Sequence, residues 1–373
     1  MANVGVEAAA AGKRALVVTG TGSVKKNGLL DVVMSALDSE GVEAVELSGV
    51  VPNPEIGSVR EGAALCRERG VDMVLAVGGG SVVDAAKAIA AAADYYGDPW
   101  DFFDKKAKPA KALPIGVVLT LSATGSEMNG NSVITNPETS EKRPMYHPAL
   151  YPRFSILDPE LTFTVPPDQT AYGVVDILSH VFEQYFHNVQ DTPLQDGLAE
   201  TIMWTVVNYA PLALKKPDDY NARANLMWAS SLALNGLLAA GTGGGDWASH
   251  MLEHELSAKY GIAHGAGLAV IFPAWMRRVY KTNIVRFMQF AVNAWGVDPT
   301  GLKEEDLAVK GIEAMENYFR NTLNVPVTMA DYGIDGSRIE EMADSAMKHK
   351  KLGSFMSLSR DDVIAIYETA LGS

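Results

Sequence analysis

The sequence predicts an α/β domain built on a parallel sheet, followed by an all-α domain. Three observations predict it. Between Arg14 and Leu157, short apolar runs rich in β-branched residues alternate with amphipathic stretches. Strands that are apolar along their whole length belong to parallel sheets covered on both faces. Beyond Pro166-Pro167 no further buried strand is evident, and segments of helical spacing follow one another to Ser373. A chain of 373 residues is also too long for one small core. The expected domains are residues 1–165 and 166–373.

Taken in order, Met1 to Gly12 lacks the basic start and long apolar run of a signal peptide and reads as a loose tail. Ala15 to Thr19 is the first strand, and Leu29 to Leu37 the first amphipathic helix. Val42 to Leu47 is the second strand. Asn53-Pro54 suits the N-cap and first position of a helix from Glu55 to Arg69. Inside it lies Cys66, the single cysteine, which reads as a small core side chain and excludes a disulfide framework. Met73 to Val77 and Leu113 to Leu119 are the third and fourth strands. Asn131 to Lys142 reads as a hairpin turning at Asn136-Pro137, and Phe154 to Leu157 as a last strand. In the second half the clearest helices cover 199–214, 221–238, 284–295, 307–323 and 337–349.

Composition narrows the function. A formal charge of -14 leaves no lysine or arginine excess to neutralise phosphates, so no nucleic-acid partner is expected. No window approaches a membrane-spanning run, so no membrane partner is expected either. With the lone cysteine, this points to a cytoplasmic protein.

Gly78-Gly79-Gly80-Ser81 follows the third strand and opens a helix that carries Asp84 and Lys87. Side-chain-free backbone lets a ligand approach, and a helix N-terminus presents free N–H groups to an anion such as pyrophosphate. Asp84 also has the spacing of a capping residue, and Lys87 that of a solvated helix position. The first strand turns through Gly20, Gly22 and Ser23, which miss the G-x-G-x-x-G spacing. Gly20 to Gly28 holds no acid but does hold Lys25 and Lys26, which suits a 2′-phosphate and hence NADP(H) over NAD(H). After the fourth strand, Thr120, Ser122, Thr124 and Ser126 offer hydroxyls where α/β proteins place ligand-contacting loops.

Three of the seven histidines crowd into one stretch: His250, His254 and His264. A helix from near Asp246 puts His250 and His254 on one face, Gly261 ends it, and His264 begins the next apolar run. Such convergence reads as a divalent-metal site, or as two ligands with a proton-transfer partner. Upstream, Asp176 and His180 lie four apart on an apolar helix and add a carboxylate and an imidazole. Nitrogen and oxygen donors without thiolate suit Fe(II), Zn(II), Mn(II) or a similar divalent metal. His147, His187 and His349 have no such company.

Together these segments resemble the iron-dependent alcohol dehydrogenase family, from about Arg14 to the C-terminus. Gly78-Gly-Gly-Ser81 with Asp84 and Lys87 looks like its phosphate loop, and Ala123-Thr-Gly-Ser-Glu127 like its second cofactor loop. Asp176-x-x-x-His180 and His250-x-x-x-His254-x(9)-His264 look like its metal motifs. Gly22-Ser-Val-Lys-Lys, Gly125-Ser-Glu-Met-Asn and Asp246-Trp-Ala-Ser-His-Met-Leu resemble the butanol dehydrogenase and broad-range aldehyde reductase branch. The resemblance implies a Rossmann-like, dehydroquinate synthase-like first domain, a homodimer, and an active site in the cleft between the domains. By it, Asp176, His180, His250 and His264 would be ligands of one divalent metal. His254 would be a non-ligand near the nicotinamide, and Lys142 a contact to the cofactor's ribose.

The expected reaction is hydride transfer between NAD(P)H and a short- to medium-chain aldehyde or primary alcohol, with the metal polarising the carbonyl and His254 as the nearest proton donor. Two alternatives stand beside it. A metal- and NAD-dependent lyase of the dehydroquinate synthase type would need a basic pocket, whereas Trp247 and Met251 are apolar. A non-catalytic binding module would not need an intact ligand set.

Overall fold

The apolar runs of the first half lie side by side. Residues 1, 3–349 and 352–372 are described by the computed structural model. They divide into two units, Met1–Phe163 and Thr164–Ser373, two residues before the expected division.

In the first unit the strands are β1 (Arg14–Gly20), β2 (Glu43–Val50), β3 (Met73–Gly78), β4 (Ile115–Leu119), β5 (Asn131–Asn136), β6 (Glu141–Tyr146) and β7 (Phe154–Ile156). Five form one sheet in the order β2-β1-β3-β4-β7, every pair parallel. The remaining two make the expected hairpin, antiparallel from Asn131↔Tyr146 to Asn136↔Glu141. It runs four residues longer than the sequence suggested, because Ser140 takes the left-handed conformation (φ 51°) that lets β6 start after it.

The helices of this unit are α1 (Val4–Ala11), α2 (Ser23–Lys26), α3 (Leu29–Ser39), α4 (Ile56–Arg69), α5 (Gly80–Ala92) and α6 (Trp100–Phe103). Ala15, Val17, Met73, Leu75, Val77 and Val118 share one core with α1 and α3. The intervening Leu16, Val18, Val74, Ala76 and Val117 are also fully buried, as a sheet covered on both faces requires.

Two expectations fail here. The N-terminal segment is not a loose tail: Val4 and Ala8 are fully buried, and Gly5 lies so close to the backbone of Ala36 that a β-carbon would collide. Small residues, which read as featureless in the sequence, are what allow α1 to pack tightly on α3. The N-cap of α4 is Glu55, not Asn53, which instead adopts a left-handed turn (φ 53°) before Pro54. Cys66 is buried as expected, and burial pushes its thiol up to about 12.

The second unit is mainly helical, with α7 (Pro167–Tyr185), α8 (Pro193–Lys215), α9 (Tyr220–Ala233), α10 (Ala248–Tyr260), α11 (His264–Val279), α12 (Ile284–Gln289), α13 (Glu304–Asn317), α14 (Ile339–Ala346) and α15 (Arg360–Leu371). The predicted helix to Leu238 stops at Ala233, ahead of a glycine-rich turn whose Gly241, Gly243, Gly244 and Gly245 all have positive φ. The helices predicted to Trp295 and Leu323 end in widened π turns, Phe290–Ala294 and Tyr318–Thr322. One apolar core, centred on Phe182, Phe186, Phe272, Trp275, Phe287 and Phe290, holds α7, α11 and α12 together.

Candidate active site and metal centre

Parallel strands deliver their C-terminal ends to one edge, so the loops after β1, β3 and β4 emerge together. The order reverses between β1 and β3, with β2 on one side and β4 on the other, which is where open α/β sheets bind ligands. Gly79 is the N-cap of α5 in extended conformation and no side chain caps it. A side chain on Gly80 would strike Thr124, and one on Gly79 would press Leu121. The glycines thus let two loops close on one another as well as opening backbone N–H groups to an anion. Thr120, Ser122 and Thr124 are partly exposed along this edge, and Thr124 Oγ1 accepts from the Ser126 N–H (3.2 Å).

Other candidates turn inward. Asp84 is not a cap: its carboxylate accepts from Ser126 Oγ (2.6 Å) and from the Val133 N–H (2.9 Å). Burial raises its pKa, against the opposing charge of Lys87. Lys87 is not solvated either. It is fully buried, and its Nζ donates to Ser126 Oγ (2.9 Å), Asn129 O (2.8 Å), Asn129 Oδ1 (3.1 Å) and Asn131 O (2.9 Å). Burial lowers its pKa to about 8, with Asp84 and Glu127 holding it up. Asp84, Lys87 and Ser126 therefore bind α5 to the loop and hairpin that follow β4. Lys142 pairs with Thr135 across that hairpin, and its charge reaches Asp84. At the first turn, Gly22 (φ 130°) starts α2 and Ser23 is exposed, while Lys25 Nζ meets Glu46 Oε1 on β2 at 2.5 Å.

In the second unit, α7 presents Asp176 and His180 one turn apart. Helix α10 runs from Ala248 to its left-handed C-cap Gly261, and His264 is the first residue of α11. These three helices bring together two groups able to hold a cation: Asp176, His180 and His250, then Glu253, His254 and His264. They adjoin, because Asp176 Oδ1 lies 3.5 Å from His180 Nδ1 and 3.6 Å from His264 Nε2. Ring centroids are 4.9 Å apart for His180–His250, 5.5 Å for His250–His264 and 5.8 Å for His254–His264. Asp176 Oδ1, His180 Nδ1 and His250 Nε2 are buried without a hydrogen-bond partner. Such atoms are costly unless something polar fills the space between them, and a divalent cation fits that donor set. Burial drives the His180 pKa down to about 3, the nearby Asp176 charge opposing, so its ring stays neutral as a metal ligand must.

Two carboxylates escaped the sequence reading. Glu183, on the face of α7 that carries Asp176 and His180, is fully buried and accepts from His250 Nδ1 (2.8 Å), the His250 N–H (3.0 Å) and the Trp247 N–H (2.6 Å). Glu253, fully buried on α10, meets His264 Nδ1 and Ser257 Oγ. The signal was present, since each lies three residues after a candidate ligand on the same helix. Trp247 holds a left-handed conformation (φ 63°), its indole donating to Gly244 O (2.6 Å) and standing edge-on to His250 at 5.2 Å. Asp246 accepts from the N–H groups of Ser354 and Phe355, both at 2.6 Å. Burial, with the nearby Glu183 charge, pushes its carboxyl up to about 7.

His147 caps a short turn through Ala149, and His187 lies 3.5 Å from Asp196. The side chain of His349 falls outside the described residues. No described helix is long and apolar enough to cross a membrane.

Comparison with known proteins identifies the family. The profile of the iron-containing alcohol dehydrogenases matches residues 1–159, and that of the Fe-containing alcohol dehydrogenase family C-terminal region matches 170–371. NADH-dependent butanol dehydrogenase B of Clostridium acetobutylicum is 45% identical over 96% of this chain and 93% of its own. The NADPH-dependent aldehyde reductase YqhD of Escherichia coli is 41% identical over 96% and 92%. The crystal structure of NADH-dependent butanol dehydrogenase A from Thermotoga maritima shares 46% identity. It has a TM-score of 0.95 and covers 99% of this chain and 94% of that one. The lyase and non-catalytic alternatives fall away with these matches. The chain belongs to the iron-containing alcohol dehydrogenase family, and it is an oxidoreductase of alcohols and aldehydes that works with a metal and a nicotinamide cofactor.

Proposed function

We propose that the protein interconverts short- to medium-chain aldehydes and primary alcohols, with one divalent cation, Fe(II) or Zn(II), held by Asp176, His180, His250 and His264. The observation that supports this most is the set of buried, unpartnered atoms on Asp176, His180 and His250, facing inward beside His264. A bound cation supplies Lewis-acid polarisation of the carbonyl and a reduced nicotinamide supplies the hydride. Asp176 contributes the one negative charge within the ligand set. His254, one turn after His250, supplies the proton for the product hydroxyl and takes it back in alcohol oxidation. Trp247 gives the site an apolar wall that favours an uncharged substrate.

Gly78 to Ser81 hold the pyrophosphate in this reading, with Gly20, Gly22, Ser23 and Lys25 near the adenosine ribose and Thr120, Ser122, Thr124 and Lys142 along the rest of the cofactor. Asp84 and Ser126 act indirectly, by fixing the loop. Preference for NADP(H) rests on the acid-free turn and on the exposed Lys26. Two observations run the other way: Glu46 engages Lys25, and several relatives carry NADH-dependent names. The ratio of kcat/KM for NADPH and NADH decides it, and a ratio of one or below removes the preference. The reading also has the protein as a cytoplasmic homodimer, which sedimentation analysis checks.

The test of the site is metal content beside turnover. His250→Ala, His264→Ala and Asp176→Ala should purify largely metal-poor. His254→Ala should keep its metal and lose about 10²-fold or more in rate, the scale of general acid–base catalysis. Metal-free His254→Ala with metal-replete His250→Ala would reverse the two roles.

A further inference from the structure

An imidazole ligates a cation through one nitrogen only, and the other must carry hydrogen. What stands behind that second nitrogen therefore decides which lone pair faces the metal. Behind His250 Nδ1 stands Glu183 Oε1 at 2.8 Å, and behind His264 Nδ1 stands Glu253 Oε2. The oxygens of Glu183 also take the backbone N–H groups of His250 and Trp247, and the second oxygen of Glu253 faces Ser257 Oγ, so the geometry places each Nδ1 as the N–H donor. That leaves Nε2 forward on each ring. His250 Nε2 is buried without a partner, and His264 Nε2 is turned toward Asp176 Oδ1.

The carboxylates are themselves aimed. Glu183 spans the start of α10, which has no side-chain cap of its own, and takes the backbone N–H groups of both Trp247 and His250. The positive end of the helix dipole there favours the anion. Glu253 takes the Ser257 hydroxyl on its other oxygen. Gly267 makes room for it, since a β-carbon there would come 2.8 Å from Glu253 Cγ and Oε1. The arrangement passes from helix to helix: α7 orients the histidine of α10, and α10 orients the histidine of α11.

We propose that Glu183 and Glu253 are positioning residues that fix the tautomers of His250 and His264, and thereby set how tightly the site holds its divalent cation. The proposal rests on the reading that these two histidines are ligands. Partners of this kind raise ligand basicity as well as orienting the ring, and their loss commonly costs about 10–100-fold in metal affinity.

The experiment measures Zn(II) and Fe(II) dissociation constants of the purified full-length protein by competition with a chromophoric chelator. Wild type, Glu183→Gln and Glu253→Gln are compared, with nicotinamide cofactor binding by fluorescence and far-UV circular dichroism alongside. Weakening by about 10–100-fold with unchanged cofactor binding is the expected result. Nitrogen-15 spectra of the metal-free proteins should show the Nδ1–H form of both histidines in wild type and its loss at one ring in each variant. A purely structural role would not produce that signature. If a Gln variant does not fold, Glu253→Asp carries the test, because it keeps the charge but withdraws it from Nδ1. Wild-type affinity in the folded variants overturns the inference if His250→Ala and His264→Ala still lose metal. Should those alanine variants keep their metal, the ligand assignment itself fails instead.

Discussion

Replacing Lys87 with methionine distinguishes a cofactor contact from a structural pin. The ammonium carries three protons and is surrounded by four protein acceptors at 2.8–3.1 Å. Methionine fills a similar volume but leaves Asn129 O, Asn131 O and Ser126 Oγ facing an apolar side chain in a buried space. Each hydrogen bond to a charged group is worth about 1.5–3 kcal/mol net, and breaking a buried charged network typically costs about 3–5 kcal/mol. That is a large share of a total stability of about 5–15 kcal/mol. At a urea slope near 2 kcal/mol/M the first unfolding midpoint should fall by about 1.5–2.5 M. Urea titration followed by circular dichroism reads the midpoint, and enhanced NADPH fluorescence reads cofactor binding. Cofactor affinity at low urea should change much less than stability, since the three ammonium protons are already taken up by protein acceptors. A wild-type midpoint with strongly weakened cofactor binding would refute the reasoning and place Lys87 on the cofactor.

Two further outcomes follow from the second unit. Stripping the metal should lower the melting temperature, because a cation present at about 1,000 times its Kd stabilises by about 4 kcal/mol, worth about 8–16 °C for a unit of this size. An unchanged melting curve would argue against any cation at Asp176. The metal-free protein should also be acid-sensitive. The folded pKa of His180 lies near 3 against an ordinary 6.5, so the unfolded chain binds the proton first. Stability from this group is whole above pH 6.5 and declines as pH falls toward 3, by up to about 1.4 kcal/mol per pH unit. A His180→Gln variant should flatten that slope in urea titrations between pH 4 and 7.

Much of this was legible in the residues. The central strands β1, β3 and β4 were visible as apolar β-branched runs, because a strand buried on both faces leaves no polar position to blur the pattern, whereas the edge strands β2 and β7 are only partly buried. The candidate ligand pairs were legible as helix neighbours because i, i+4 spacing survives any uncertainty about helix ends. What was hidden depended on contacts distant in sequence. Nothing local marks Lys87 as buried, since its acceptors lie some forty residues on, in a loop that folds back. Glu183 and Glu253 each lie three residues after a candidate ligand, but only the fold brings them against His250 and His264. Helix α1 was missed because its alanines and glycine have no pattern of their own, and only the close approach to Ala36 gives them meaning.

Asp246 binds the backbone of Ser354 and Phe355, and Ser354 Oγ donates to Gly245 O at 2.8 Å. A segment near the end of the chain is thus fastened to the start of the helix that carries His250. In a chain cut before Ser354, Asp246 loses two of its three backbone donors, and the left-handed turn at Trp247 has less to hold it. Such a chain should therefore bind a divalent cation more weakly than the intact one, even though it keeps Asp176, His180, His250 and His264.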